Sequence, residues 1–305
     1  MVATYETKTN YNVVGKTPIR HDGLDKVTGR AIYGGDVKVP GLIWGDVLRS
    51  PHVHARIKRI DTSAAEAMDG VFAVLTNSDF PTADEREVSA GEDTVNLKRD
   101  QANIMAANKV HYKGHVVAAV AAVDRNTAEE AVNKITVEYE VLQPISNVET
   151  AMADGAPIIL EDLIGDHIGE QVANTNIAKI FRHEFSDVED AFSKSDLVIE
   201  RTVEMSMVHQ GYIEPHNATA IWAEDGNLTV WSSTQGSFGV RAQTAGLLGI
   251  PESKVKVNYV EIGGGFGGKT KVYFTPIAAL LSRKSGGRPV KFVMDRSSIF
   301  EASGP

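Results

Sequence analysis

The chain has no cysteine among its 305 residues. That absence excludes disulfides, cysteine-ligated zinc and any iron–sulfur cluster held by this polypeptide, and it leaves the redox compartment open. Basic charge is also scarce: 31 lysines and arginines face 40 aspartates and glutamates, giving a formal charge of −9 and an isoelectric point near 5.5. Non-specific nucleic-acid binding rests on phosphate neutralisation by Lys and Arg, so no nucleic-acid partner is expected. Long apolar runs are missing too. The longest near the middle, residues 116–123, has eight residues, against the ~20 that a membrane-spanning helix needs. Residues 1–10 are polar with no apolar signal region, so a cytoplasmic protein without a membrane span is expected.

What is present is an ordinary globular composition, 42% hydrophobic, with a length that suggests two domains at roughly 100–200 residues each. After a polar lead-in over 1–15, residues 43–48, 56–60 and 71–75 read as strands, with a short helix over 63–68. Residues 81–101 are charged and poor in large apolar side chains, which suggests a surface excursion. Residues 116–123 read as a buried strand. Asn126 then reads as the cap of a helix over 127–134 with Glu129 and Glu130 in its first turn, and 135–142 alternates as a strand. Pro144 and the Gly-, Asp- and Pro-rich stretch 153–176 read as a linker. In the second half, 188–192 reads as a short helix and 197–207 as a long strand. Residues 218–223 and 228–232 form a hairpin around Glu224-Asp225-Gly226-Asn227. A helix over 238–248 closes on Gly249 and Pro251, followed by a strand over 255–262, a helix over 273–285 with Pro276 in its first turn, and a strand over 290–294.

The sharpest motif is Gly263-Gly264-Gly265-Phe266-Gly267-Gly268-Lys269-Thr270, between a strand and a helix. It satisfies the P-loop pattern through Gly263, Gly268, Lys269 and Thr270, and the dinucleotide fingerprint through Gly263, Gly265 and Gly268. Both rely on side-chain-free backbone approaching an anion at a helix N-terminus. Only 35 residues follow Thr270, whereas either nucleotide fold needs several further strand–helix units after its first loop. Phe266 also puts a large ring in the middle of a supposed phosphate cradle.

A third reading fits more of the chain. The glycine loop, preceded by Ser233-Thr234-Gln235 and Tyr212-Ile213-Glu214-Pro215, resembles the molybdenum hydroxylases, the family of xanthine dehydrogenase, aldehyde oxidase and carbon monoxide dehydrogenase. Gly29-Arg30-Ala31-Ile32-Tyr33 with Asp36, then Arg49-Ser50-Pro51-His52-Val53-His54-Ala55-Arg56-Ile57, resemble the opening of that family's N-terminal domain. Gly70-Val71-Phe72-Ala73-Val74 and Tyr139-Glu140 continue the resemblance in order. It implies an α+β chain: an α/β-hammerhead domain over 16–150, a linker over 151–180, and over 181–305 the first part of a molybdenum-cofactor-binding domain, incomplete at its C-terminus.

The resemblance also implies a molybdenum pyranopterin cofactor, often the cytosine dinucleotide form in bacteria, whose metal takes sulfur ligands from the cofactor. Gln235 would hydrogen-bond a molybdenum-bound oxygen, as a neutral amide that donates without adding charge. Gly264, Gly265, Phe266, Gly267 and Gly268 would approach the metal end of the cofactor. Iron–sulfur and FAD groups would sit on partner chains. Thr270 departs from the glutamate that xanthine dehydrogenases place there, which makes a purine substrate less expected. The family's base glutamate lies beyond the equivalent of Pro305. The implied protein partners are therefore a chain with the C-terminal half of the subunit, an iron–sulfur subunit and a flavin subunit, and the substrate is a small molecule.

Other candidates have plainer readings. His52 and His54 lie two apart before a strand and suggest packing. His209, Glu214 and His216 could form a metal set, but Pro215 and alternating faces oppose their convergence. Residues 269–296 carry Lys269, Lys271, Arg283, Lys284, Arg288, Lys291 and Arg296 against Asp295, either a solvated face or a contact for an anionic partner. Asn217 and Asn227 sit in glycosylation patterns that mean nothing without export.

Overall fold

The computed structural model describes residues 11–90 and 94–303. The expected polar, signal-free segment 1–10 lies outside the described residues. In the first half, α1 (Gly23–Val27) and β1 (Ile43–Arg49) precede β2 (Ala55–Asp61), α2 (Ser63–Glu66) and β3 (Val71–Thr76). The chain continues through a small hairpin of β4 (Glu87–Ser89) and β5 (Thr94–Asn96), α3 (Leu97–Ile104) and β6 (Lys109–Val110). Then come β7 (Val116–Ala122), α4 (Arg125–Asn133) and β8 (Thr136–Val141).

β7 reads VVAAVAA and is buried at every position. A strand covered on both faces needs apolar residues throughout, not alternation. Its residues enter three separate clusters: Val116, Ala119 and Ala121 join the largest, Ala118, Val120 and Ala122 join Ala128, Ala131 and Val132 of α4, and Val117 joins Ala55, Ala106 and Val110. The helix cap is Asp124, two residues before the expected Asn126. Its backbone is extended and its carboxylate accepts the Thr127 N–H at 2.8 Å, which leaves Asn126 inside the helix.

The stretch 81–101 is no simple surface excursion. It contributes the β4–β5 hairpin and the start of α3, and Leu97 is fully buried.

The second half comprises α5 (Val148–Met152), β9 (Ile164–His167), β10 (Glu170–Ala173), β11 (Lys179–Ile180) and α6 (Val188–Ser193). It continues with β12 (Asn217–Trp222), β13 (Leu228–Ser232), α7 (Ser237–Leu248), β14 (Val255–Asn258), α8 (Thr275–Lys284), β15 (Val290–Val293) and α9 (Arg296–Ala302). The stretch 153–176 holds strands of its own, since β9 pairs with β10 and β11. Asn176 ties it down by donating to Ala151 O and Pro157 O, both at 3.0 Å. The expected strand over 197–207 is absent. The segment is exposed and, among the described residues, has no strand beside it.

Seven strands form the main sheet in the order β14-β13-β12-β15-β1-β7-β3. The two halves of the sequence meet where β15 runs parallel to β1, Ile43 opposite Val290. The resulting mixture of helices and mainly antiparallel strands is the expected α+β arrangement. For the site, one pairing matters most: β13 and β14 are parallel neighbours, Leu228 opposite Val255, so the segments leaving both strands emerge at the same end of the sheet.

Candidate functional site

Gln235 lies three residues after β13, and the glycine loop follows β14. In a sheet of this kind, the crevice beyond the carboxyl ends of parallel strands is a natural place for a ligand. The structure brings the two segments into contact. Gln235 N–H donates to Lys269 O at 2.9 Å, and Thr234 Oγ1 donates to the same carbonyl at 3.2 Å. The Gln235 side-chain oxygen accepts from Gly267 N at 2.9 Å and Lys269 N at 3.2 Å. Two backbone donors on one atom settle which end of the amide is oxygen. Its NH₂ group therefore points away from the loop, and it makes no hydrogen bond among the described residues.

The loop needs glycine for packing and for backbone shape. A Cβ at Gly265 would stand 2.5 Å from Gln235 Oε1. Gly267 has φ +92°, in the region that disfavours side chains. Phe266 also adopts a left-handed backbone, φ +51°, and its ring is 75% exposed. Such a conformation in a bulky residue costs about 1–3 kcal/mol, and nothing in the sequence announced it. Gly268 N closes a turn on Gly265 O at 2.8 Å. Among the described residues, the N–H groups of Gly264, Gly265 and Phe266 have no hydrogen-bond partner.

Beneath the loop runs the segment Tyr212-Ile213-Glu214-Pro215. Glu214 is its hub. One carboxylate oxygen accepts from Gly263 N at 2.7 Å and from Lys269 Nζ at 2.8 Å. Lys269 Nζ also donates to Glu214 O at 2.8 Å and lies 4.8 Å from the Tyr212 ring centroid. The Lys269 side chain is fully buried. Burial pushes its ammonium below the ordinary lysine range, and the Glu214 carboxylate pulls it partly back. Tyr212 hydroxyl meets His216 Nε2 at 2.7 Å and Ser303 Oγ at 2.9 Å. Burial, reinforced by the charge on Lys269, pushes His216 down to about 3, so it is neutral at ordinary pH.

This geometry disposes of the nucleotide readings. The P-loop lysine must reach phosphates, whereas Lys269 points inward and is paired. The helix that should open on the loop, α8, begins only at Thr275. The His209, Glu214 and His216 set does not converge either. His209 meets Ser303 at 3.2 Å, His216 meets Tyr212, and Glu214 meets Lys269. Among the described residues no group of three His, Asp or Glu side chains could hold a metal ion.

His54 is buried, with Nδ1 2.7 Å from Gln143 O, and His52 packs edge-on against Tyr139. The basic stretch 269–296 forms no common face. Lys269 and Lys291 are buried, Lys284 pairs with Asp79, and Arg283 and Arg288 lie over Trp222 and Phe72. Asn217 is buried, its amide donating to Glu214 and Pro215 O, which closes it to glycosylation in the fold.

The donor set suits a group rich in oxygen acceptors: three free backbone N–H groups, one free side-chain amide, and a loop surface bare of side chains except one ring. A pyranopterin-bound metal with oxo or hydroxo ligands meets that description without needing any protein thiolate. The residues present therefore fit the group that the sequence resemblance implies.

Comparison with known proteins agrees along most of the chain. Residues 169–305 match the family described as the molybdopterin cofactor-binding domain, and residues 28–143 match the a/b hammerhead domain of aldehyde oxidase and xanthine dehydrogenase. A probable xanthine dehydrogenase subunit of Bacillus subtilis (strain 168) is 35% identical over 278 residues, 91% of this chain and 34% of that protein. The nicotinate dehydrogenase large molybdopterin subunit of Eubacterium barkeri is 34% identical over 287 residues, 94% of this chain and 62% of that protein. The solved structure of reconstituted CO dehydrogenase from Oligotropha carboxidovorans superposes with a TM-score of 0.76 at 33% identity, covering 93% of this chain and 35% of that one. The chain thus spans about a third of the Bacillus and Oligotropha proteins and less than two thirds of the Eubacterium one. No described helix is long and apolar enough to cross a membrane.

Proposed function

This chain belongs to the molybdenum hydroxylase family of xanthine dehydrogenases, aldehyde oxidases and carbon monoxide dehydrogenases, and we propose that it forms the N-terminal portion of a catalytic subunit and one wall of its cofactor site. The observation that carries this reading is the Gln235 amide, oriented by two loop N–H groups so that its NH₂ faces outward beside the bare loop. When bound, the cofactor supplies two-electron molybdenum chemistry with oxygen drawn from water. Substrates would be an aldehyde, an N-heteroaromatic carbon or a related small molecule. Relatives named for nicotinate and quinoline act on heteroaromatic rings, and others of similar identity are named for carbon monoxide.

Within that reading the chain's own residues hold and orient. With the cofactor bound, the Gln235 NH₂ would donate toward its metal end, and Gly264, Gly265 and Phe266 would offer backbone N–H groups to it. Gly267 and Gly268 keep the loop bare at the metal-facing end, while the Lys269–Glu214 pair fixes it from below. In this reading the base glutamate comes from the part of the family's molybdenum subunit that lies outside the matched residues, iron–sulfur and flavin groups sit on partner chains, and the assembly works in the cytoplasm.

Molybdenum content by elemental analysis tests the reading. The expected result is no metal in this chain alone and near-stoichiometric metal when it is co-expressed with the polypeptide encoded directly downstream. Gln235→Ala should then lower turnover at least ten-fold. No metal in either preparation would instead indicate a chain that folds or assembles without catalysis.

A further inference from the structure

Asp100 lies in the first turn of α3 and is 6% exposed, yet its carboxylate makes no hydrogen bond among the described residues. One oxygen is sealed from water without a partner. The other opens on a cavity of about 400 Å³, which Asp100 lines together with Ile104, Tyr112, Lys271, Tyr273 and Glu301. Buried polar groups are almost always paired, and a buried charge without a counter-ion is costly. Lys271 acts on Asp100 through space, from an exposed position on the cavity wall, and forms no ion pair with it.

Other polar groups of this wall have partners that hold them in place. The Tyr112 hydroxyl donates to Asn103 O at 2.8 Å, and its ring stacks on His115 at 4.4 Å. Glu301 accepts from Lys113 Nζ at 2.8 Å. Val272, between the wall residues Lys271 and Tyr273, donates its N–H to Gln243 Oε1 at 3.1 Å. The cavity is therefore preformed and within the size range of small-molecule sites, with aromatic and aliphatic walls around one unsatisfied acidic group.

We propose that this cavity is a binding site for a small aromatic cation, an arylammonium, amidinium or protonated N-heterocycle, whose N–H pairs with Asp100 and whose ring lies against Tyr112, Tyr273 and Ile104. The sign of the ligand follows from burial. Asp100 is already stripped of water, so an arriving cation has no hydration shell to displace from it. An anion drawn to the exposed Lys271 would instead meet a solvated ammonium and two carboxyl groups. Charge-assisted hydrogen bonds are among the stronger ones, and tyrosine faces add cation–π attraction. The site uses no atom of the cofactor and stands or falls separately from the proposed function.

Titratable groups near Asp100 are Lys271, Glu301, Tyr112 and Tyr273 on the wall, His111 and His115 behind Tyr112, and Lys98 and Arg99 on α3, both paired with Asp162. α7 packs on α3 where Leu97 meets Gly246, and brings Arg241, bound to Glu252. Burial pushes both histidines down to about 4 and Asp100 up to about 7, so the histidines stay neutral between pH 6 and 8 while Asp100 ionises.

The test is calorimetric titration of this chain with benzamidinium, benzamide and benzoate, which share a shape and differ in charge. Benzamidinium should bind at pH 8 with a Kd below about 1 mM. It should bind about ten-fold more weakly at pH 6, where about a tenth of Asp100 is ionised. Benzamide and benzoate should bind at least ten-fold more weakly than benzamidinium at pH 8. Asp100→Asn keeps the shape and removes the charge; it should weaken benzamidinium at least ten-fold with an unchanged circular-dichroism spectrum. Lys271→Met should bind benzamidinium at least as tightly as wild type. Benzamide matching benzamidinium, benzoate binding more tightly than either, unchanged affinity in Asp100→Asn, or no binding of any of the three overturns the site.

Discussion

Replacing Lys269 by methionine isolates the electrostatic support of the loop. Methionine keeps most of the buried volume and removes the ammonium. Glu214, whose side chain is 10% exposed, is then left with the Gly263 N–H and the Asn217 amide as partners and no cation. Breaking a buried ion pair by removing one member costs about 3–5 kcal/mol, because the remaining charge stays desolvated. The retained hydrogen bonds and the cost already carried by Lys269, which burial holds below its ordinary range, place the loss near the lower end, about 3 kcal/mol. Domains of 150–250 residues lose roughly 2–4 °C of Tm per kcal/mol. A longer chain falls at the low end, so Lys269→Met should melt about 6 °C below wild type in a circular-dichroism scan at pH 7. The double variant Lys269→Met/Glu214→Gln removes both charges and should recover more than half of that loss. A single variant within 1 °C of wild type would refute the buried-pair argument. So would ATP or GTP raising the wild-type Tm but not that of the variant, since it would return Lys269 to a phosphate role.

Asp100 gives a pH test. It is buried, one carboxylate oxygen has no partner, and burial pushes it up to about 7. The folded state therefore holds a proton that the unfolded state releases near pH 4. The associated stability is full below pH 4, declines as pH rises through about 7, and is absent above that. Three units correspond to at most about 4 kcal/mol. Asp100→Asn should be more stable than wild type at pH 8 in urea titration and should lack the decline between pH 4 and 7. Equal slopes for the two proteins would exclude this assignment. His115 and His216, pushed down to about 4 and about 3, slope the opposite way in both proteins and cancel in the comparison. Gly265→Ala drives its methyl into Gln235 and must displace the amide from its two N–H donors. The expected loss is about 1–3 kcal/mol with reduced molybdenum retention in the assembled enzyme; unchanged stability and metal content would mean that Gln235 needs no fixed orientation.

The strongly local elements of the fold were legible from residues alone. β7 announced itself because a strand buried on both faces has no polar position to spare. The β12–β13 hairpin followed from Asp225-Gly226-Asn227, with Asp225 accepting the Asn227 N–H at 2.9 Å and Gly226 at φ +81°. α7 ended on Gly249, at φ +63°, as its chemistry required. Non-local pairings were not legible. Nothing near Ile43 in sequence indicates that it lies opposite Val290, and nothing in the glycine- and proline-rich stretch 153–176 separates a loose connection from the tight turns of the β9–β11 sheet. Residues 197–207 failed in the opposite way. Their alternation was real, but a strand is a relation between two segments, and among the described residues this one has no partner strand.

The site shows the same division between residue type and residue environment. Gln235 and the glycine loop were paired by their resemblance to a family, and the parallel strands β13 and β14 supply the physical reason that they meet. The P-loop pattern, by contrast, specifies glycines, a lysine and a threonine without specifying where the lysine points. Here a carboxylate 55 residues earlier in the chain, Glu214, captures the ammonium beneath the loop. A cation facing outward would attract phosphate; one neutralised from below leaves the outer surface to backbone N–H groups and a neutral amide. That surface suits oxygen atoms whose charge is already balanced by a metal, where an exposed lysine would compete with the metal for them. The inward turn of Lys269 is therefore what separates this loop from the nucleotide-binding loops that it matches letter for letter.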